Sequence, residues 1–309
     1  MPAKEIGIIG MGWVGASVAI SILHRGLCKR LLITDIKYEV AEGEAMDLNH
    51  GSPFFPTAET VACEVREMKN CAAIVITAGR GGKPGETRLD LLRENIKIAK
   101  SISEDLKGYQ GLLIIVSNPV DVLTYYYQQF TGLPRERVIG TGTMLDTARL
   151  RDIIGREIDI DPKSVYANVI GEHGDSEVVL WSDAKVGSQP IAEWELWNQN
   201  LEEEVTLKVR KAAQEIIKRK GATNHAIGLV TATLLKWLLR GDKIITTVSS
   251  VIHGAYGLSR VALSLPTLIG ENGIQKIIPI TISDKELAGL HNSAEVLKDA
   301  ILSVSEEVD

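Results

Sequence analysis

The chain is short of cysteine, of aromatic residues, of excess positive charge and of long apolar runs, and each shortage removes a class of protein. Cys28, Cys63 and Cys71 are the only three cysteines in 309 residues. They are odd in number and show neither disulfide density nor zinc spacing, so they read as small buried apolar side chains in a reducing compartment. A net charge of -6 and a pI near 5.6 argue against nucleic acid or an anionic membrane surface as the main partner. Small anions must then be gathered by local sites. No stretch holds the ~18 consecutive apolar residues of a membrane-spanning helix. Met1-Pro-Ala-Lys-Glu5 runs into a strand pattern without a basic and apolar leader, and a cytoplasmic protein is expected. Metal-ligand spacing is missing as well, among the histidines and among the acidic residues. What remains is an aliphatic-rich chain, 45% hydrophobic and 5% aromatic, long enough for two domains with real cores.

The first informative stretch is Ile6-Gly-Ile-Ile9, an apolar run followed by Gly10-Met-Gly12-Trp-Val-Gly15 and a helix-length apolar segment. In that order Gly10 makes a tight turn, Gly12 clears space for a pyrophosphate, and Gly15 lets helix and strand pack closely. The helix N-terminus then offers free N–H groups to phosphate oxygens. A second apolar strand, Leu31-Leu-Ile-Thr34, ends in Asp35, the twentieth residue after Gly15. A carboxylate there accepts hydrogen bonds from an adenosine ribose and repels a ribose phosphate, so NAD is preferred to NADP. Further apolar strands at 60–63, 72–77, 112–117 and 137–140 alternate with helical stretches at 37–48, 88–106 and 120–130. This is the pattern of a parallel sheet covered on both faces, with ligands beyond the carboxyl ends of its strands.

Those strand ends carry the unusual residues. After Thr77 comes Ala78-Gly-Arg-Gly-Gly-Lys-Pro-Gly-Glu-Thr-Arg88, which is either a solvated surface loop or a movable lid bringing Arg88 to a developing oxyanion. In Ser117-Asn-Pro-Val-Asp121, Asn118 either touches a ligand or caps the helix that follows. Asp146 and Arg149 are three apart and share a helical face. An arginine can grip a carboxylate, and an aspartate can hold an imidazole in one tautomer. That imidazole is His173, set between glycines in Gly171-Glu-His-Gly-Asp-Ser176 with a carboxylate on either side. Histidine suits proton exchange near neutrality.

The ordered set Gly10-Met-Gly-Trp-Val-Gly15, Asp35, Pro84-Gly-Glu-Thr-Arg88, Ser117-Asn-Pro-Val-Asp121, Leu145-Asp-Thr-Ala-Arg149 and Gly171-Glu-His-Gly-Asp175 resembles the L-lactate and L-malate dehydrogenases. It is more similar to the lactate branch, from Lys4 almost to the C-terminus. The resemblance implies a Rossmann-type parallel sheet for NAD over residues 1–142, followed by a mixed α+β catalytic domain over 143–309. It implies His173 as acid/base, Asp146 as its partner, Arg149 as anchor of the substrate carboxylate and Arg88 as the lid residue that polarises the carbonyl. It further implies that Asn118 bridges cofactor and substrate, that Thr223 lines the pocket floor, and that the protein is a homotetramer acting on a small 2-oxo or 2-hydroxy acid.

Two positions depart from the family pattern. Six residues before Arg88, lactate enzymes carry glutamine and malate enzymes carry arginine, whereas this chain has Gly82. Glycine offers malate's second carboxylate no cation, unless Arg80 or Lys83 bends in, and leaves room for larger 2-oxo acids. Many bacterial lactate dehydrogenases bind fructose 1,6-bisphosphate through an arginine and a histidine; here Arg151 is present but Tyr166 fills the histidine position. Weak or absent activation is expected.

The second half alternates less regularly. Strands are expected at 177–181 and 184–186, a long charged helix at 191–220, an apolar helix at 223–240, antiparallel strands at 244–252, 260–265 and 276–282, and a final helix at 284–306. Trp194 and Trp197 suit either a partly exposed subunit contact or simple packing. His225 lies near the expected pocket in sequence. Two other function classes share an NAD-binding opening. An NAD-dependent glycosidase needs a cysteine and histidine metal site that this chain lacks, and a non-catalytic NAD-binding protein would carry acid, orienter, anchor and lid to no purpose.

Overall fold

In the computed structural model, which describes residues 4–82, 85–195 and 197–305, the chain opens as alternating strands and helices. They are β1 (Glu5–Ile9), α1 (Trp13–His24), β2 (Arg30–Thr34), α2 (Tyr38–His50), β3 (Glu59–Ala62), β4 (Ala73–Ile76), α3 (Arg88–Asp105), β5 (Leu112–Ile115), α4 (Val120–Thr131) and β6 (Val138–Gly140). The six strands run parallel in the order β3-β2-β1-β4-β5-β6. Their near-continuous Ile, Leu and Val content suits a sheet buried on both faces. Ile6, Ile8, Ile33, Ile74 and Ile76 are fully buried, each contributing about 1.5–3 kcal/mol.

The glycine turn is built as its spacing requires. Gly10 has φ +101°, and a Cβ on it would stand 2.5 Å from the Ala78 nitrogen. A Cβ on Gly15 would overlap the Gly10 carbonyl oxygen, so α1 can approach β1 only because both positions are bare.

The second half begins with α5 (Met144–Glu157) and continues through five strands of two residues each: β7 (Val165–Tyr166), β8 (Val169–Ile170), β9 (Val178–Val179), β10 (Lys185–Val186) and β11 (Gln189–Pro190). Then come α6 (Gln199–Lys220), α7 (His225–Arg240), β12 (Ile244–His253), β13 (Ser259–Gly270), β14 (Gly273–Ile277) and α8 (Asp284–Ser305). The expected helix at 191–220 is shorter than its charge pattern suggested. Residues Ile191–Glu193 form a single 3-10 turn, and α6 starts only where the Asn198 side chain accepts the Leu201 N–H at 3.1 Å. Trp197 is buried beneath this entry and donates to Glu202 at 3.2 Å, so its role is packing.

Strands β12, β13 and β14 extend the parallel sheet rather than forming a separate one. β12 runs antiparallel to β6 with Ser249 opposite Gly140, and the whole sheet has nine strands in the order β14-β13-β12-β6-β5-β4-β1-β2-β3. One face is covered by α1, α2 and α7 and the other by α3, α4 and α8, while α5 and α6 enclose a third cluster under β7 and β10. The segment joining the halves is tightly held. Thr143 N–H donates to Ser264 Oγ at 3.0 Å, Thr143 Oγ1 donates to the Val169 carbonyl at 2.6 Å, and a Cβ on Gly142 would overlap Ser264 Oγ. Among the described residues, no helix is long and apolar enough to cross a membrane.

Candidate active site

His173 follows β8, where Gly171 exchanges two backbone hydrogen bonds of 2.9 Å with Ser264 of β13. The carboxylates flanking it in sequence are turned elsewhere. Glu172 accepts the Ser176 N–H at 3.2 Å, and its own N–H donates to Ser293 Oγ on α8 at 2.6 Å. The imidazole's partner is Asp146, from the first turn of α5, whose Oδ2 lies 2.5 Å from His173 Nδ1. The other oxygen, Oδ1, accepts Arg149 Nη1 at 2.6 Å. One carboxylate, 3% exposed, thus holds both the imidazole and the guanidinium.

The electrostatics follow from that geometry. Burial disfavours the His173 cation, but the Asp146 carboxylate outweighs it and raises the imidazole from its usual 6.5 to about 9. Burial likewise disfavours the Asp146 anion, yet His173 and Arg149 together hold it below the usual carboxylate range. With Nδ1 committed to Asp146, Nε2 is left as the nitrogen for exchange with a ligand. Arg149 has no other hydrogen bond among the described residues, so its remaining N–H groups can meet an anion.

The remaining expected site residues are placed less uniformly. Arg88 is the first residue of α3, outside the His173, Asp146 and Arg149 group. Its side chain is 94% exposed and lies 3.5 Å from Asp175, itself two residues after His173. Gly82 faces Leu91, whose Cδ2 would be 3.6 Å from an added Cβ, so a side chain has room there. Arg80 is engaged by both oxygens of Glu86, Nη1 at 2.7 Å from one of them. Lys83, and Pro84 of the adjoining motif, lie outside the described residues. Asn118 meets the start of the helix that follows it and keeps one end of its amide open. Its Oδ1 accepts the Val120 N–H at 3.3 Å, while its Nδ2 has no partner among the described residues. Thr223 precedes α7, and its neighbour Asn224 donates to Ser17 on α1 at 2.9 Å. No hydrogen bond among the described residues ties Thr223 to His173. His225 is exposed.

The nucleotide positions fit a dinucleotide. Gly12 starts α1 without a side-chain cap, and a Cβ there would meet nothing within 4 Å, so the helix start has room beside it and no side chain competing for its first N–H groups. Asp35 accepts the Met11 N–H at 2.7 Å and the Lys37 N–H at 3.0 Å. These bonds hold its carboxylate beside the turn with lone pairs to spare for a ribose.

Two buried carboxyl groups escaped the sequence reading. Asp121 accepts the backbone N–H of His173 at 2.7 Å. Glu177 is 2% exposed with Oε1 unpartnered, and burial followed by repulsion from Asp146 pushes its carboxyl well above the usual range. Asp121 stood in a motif noted only for its asparagine, and Glu177 in a segment read as plain strand.

Residues 4–140 match the family model described as the lactate/malate dehydrogenase NAD binding domain, and residues 143–308 match that of the alpha/beta C-terminal domain. An L-lactate dehydrogenase of Kosmotoga olearia is 44% identical, covering 98% of this chain and 97% of the relative. One from Fervidobacterium nodosum is 43% identical, covering 98% and 99%. Among solved structures, a lactate dehydrogenase from a Medee basin deep-sea metagenome library superposes with a TM-score of 0.95 at 39% identity, covering 99% of this chain and all of that one. The minor L-lactate dehydrogenase of Enterococcus mundtii gives 0.95 at 38%, covering 98% of each.

Proposed function

The chain belongs to the lactate/malate dehydrogenase family, and on that premise we propose that it is an NAD-dependent L-lactate dehydrogenase interconverting pyruvate and L-lactate. The observation that carries the reading is the single buried carboxylate of Asp146, which orients an acid and an anchor at once. Arg149 binds the carboxylate of the 2-oxo acid and fixes which way its carbonyl points. NADH, when bound, would supply the hydride that the carbonyl carbon takes up. His173, protonated at neutral pH, donates from Nε2 to the carbonyl oxygen, and the Asp146 carboxylate steadies the ring as its charge changes. Arg88, once released from Asp175, balances the negative charge on that oxygen. In the reverse direction neutral His173 takes the hydroxyl proton. Gly10, Gly12, Gly15 and Asp35 hold the dinucleotide, with Asn118 between cofactor and substrate and Thr223 at the pocket floor.

We further propose a division near Gly142, a cytoplasmic location suited to free, buried Cys28, Cys63 and Cys71, and a homotetramer. Self-association is supported by exposed apolar side chains on neighbouring helices, Trp13 and Ile20 of α1 and Leu229 of α7. Sedimentation tests it. The space at Gly82 favours one second reading, a preference for bulkier 2-oxo acids such as 2-oxoisocaproate. Loss of NADH absorbance with pyruvate, oxaloacetate and 2-oxoisocaproate decides between them. Pyruvate should give the highest kcat/KM, and no consumption with any 2-oxo acid would falsify the dehydrogenase reading.

A further inference from the structure

We infer that Asp121 is a positioning residue for this reaction, its buried carboxylate fixing the peptide of His173 to the first turn of α4. The inference rests on the dehydrogenase reading, with His173 as the proton carrier.

Asp121 is the second residue of α4 and is 2% exposed. Its Oδ2 accepts the His173 N–H at 2.7 Å, across 52 residues of sequence. Because this bond grips the backbone rather than the ring, it leaves Nδ1 to Asp146 and Nε2 to the substrate. The imidazole is therefore held at two points, one carboxylate on its peptide and one on its ring. A short peptide N–H to carboxylate bond is charge-assisted and stronger than a neutral one.

That turn is entered from Asn118, two residues before α4, whose Oδ1 accepts the Val120 N–H. The entry to α4 thus carries the Asn118 amide and, three residues on, the carboxylate that holds the peptide of the proposed proton donor. The N-terminus of α4 also favours a negative charge in its first turn. Burial lifts the Asp121 carboxyl to about 6, against the help of Ser249, the His173 N–H and the His173 cation, with Glu172 repelling it. It is still charged at neutrality. That charge adds to Asp146 in holding the His173 proton. The Asp121 Oδ1 and the Ser249 hydroxyl are buried without completed hydrogen bonds, so an amide at position 121 finds an acceptor beside it.

Asp121→Asn keeps an acceptor for the His173 N–H and removes the charge, whereas Asp121→Ala removes both. The full-length variants are titrated by NMR at the His173 imidazole and assayed for pyruvate reduction across pH. In Asp121→Asn the imidazole midpoint should fall by about half a pH unit or more, roughly threefold in proton affinity, with turnover retained at low pH. In Asp121→Ala kcat should fall by on the order of ten- to a hundredfold. The KM for pyruvate, set by Arg149, should change by less than about threefold. Wild-type midpoint and wild-type kcat in both variants would overturn the inference. If Asp121→Ala does not fold, the midpoint of Asp121→Asn decides alone. If the protein reduces no 2-oxo acid, the function fails separately, and the NMR titration still reports whether Asp121 governs His173.

Discussion

Replacing Asp146 by asparagine removes one charge from a carboxylate that serves two cations, and its consequences can be worked from the geometry. His173 stands at about 9 rather than 6.5. A gap of roughly 2.5 pH units at ~1.4 kcal/mol each is on the order of 3 kcal/mol of preference for the imidazolium. In Asp146→Asn only the Asp121 carboxylate is left to oppose burial, and the midpoint should fall to about 6.5 or below. At pH 7.5 the protonated fraction would then drop from about 97% to below about 10%, a tenfold loss for pyruvate reduction from protonation alone. The amide adds a second penalty. Only one of its ends can accept, so either His173 Nδ1–H or the Arg149 guanidinium faces an N–H group. The combined loss in kcat/KM should be roughly a hundredfold or more.

Initial rates of NADH consumption from about pH 5 to 10 measure both effects. A variant that keeps a midpoint near 9 and loses less than about tenfold at pH 7.5 would refute the reasoning. Stability follows the same linkage. His173 has a folded midpoint above its unfolded one, so its contribution is fully present below about 6.5 and is lost as pH rises through 9. Asp146 is depressed, so its contribution is present above the ordinary carboxylate value and lost as pH falls. The gap in urea midpoint between wild type and Asp146→Asn should be widest near pH 5–6 and should narrow by about pH 9.5.

Arg88→Ala should lower turnover by on the order of 10²–10³-fold, the usual loss for one oxyanion donor, with a smaller rise in the pyruvate KM; unchanged turnover removes Arg88 from the chemistry. Wild type should discriminate against oxaloacetate, because Arg80 is committed to Glu86 and Gly82 supplies no cation. Gly82→Arg, which has room beside Leu91, should raise kcat/KM for oxaloacetate, and no gain would show that the second carboxylate lies elsewhere. Fructose 1,6-bisphosphate should leave the pyruvate KM unchanged. Arg151 already donates to the Ala167 carbonyl at 3.0 Å and to Asn168 at 3.1 Å, with Tyr166 in place of a second basic group. A large fall in KM on its addition would contradict this.

The first half was legible because its signals are local. Aliphatic runs mark β1 to β6, and the bare position at Gly15 is required by the Gly10 carbonyl five residues away, although that at Gly10 answers to Ala78 on the neighbouring strand's end. Asp146 and Arg149 could be paired because helical spacing places them together. The errors arose where distant parts of the chain decide the outcome. Charge between 191 and 198 resembled helix, but burial of Trp197 and the Asn198 cap set the true start. The last strand was expected at 276–282, yet the Gly270-Glu-Asn-Gly273 turn sends the chain straight into β14 at Gly273. Asp121 could not be linked to His173 from sequence, because nothing local to either predicts a hydrogen bond 52 residues long.

The pairing of Ser249 with Gly140 carries a mechanical consequence. The glycine turn after β1 and His173 after β8 hang from one hydrogen-bonded ladder, and the chain joining the halves, Thr141 to Thr143, is packed solid rather than slack. That joining segment, at least, leaves no slack for the halves to turn about. On the proposed reading, the span from the glycine turn to His173 is set when the sheet forms, and adjustment to a substrate falls to exposed side chains such as Arg88.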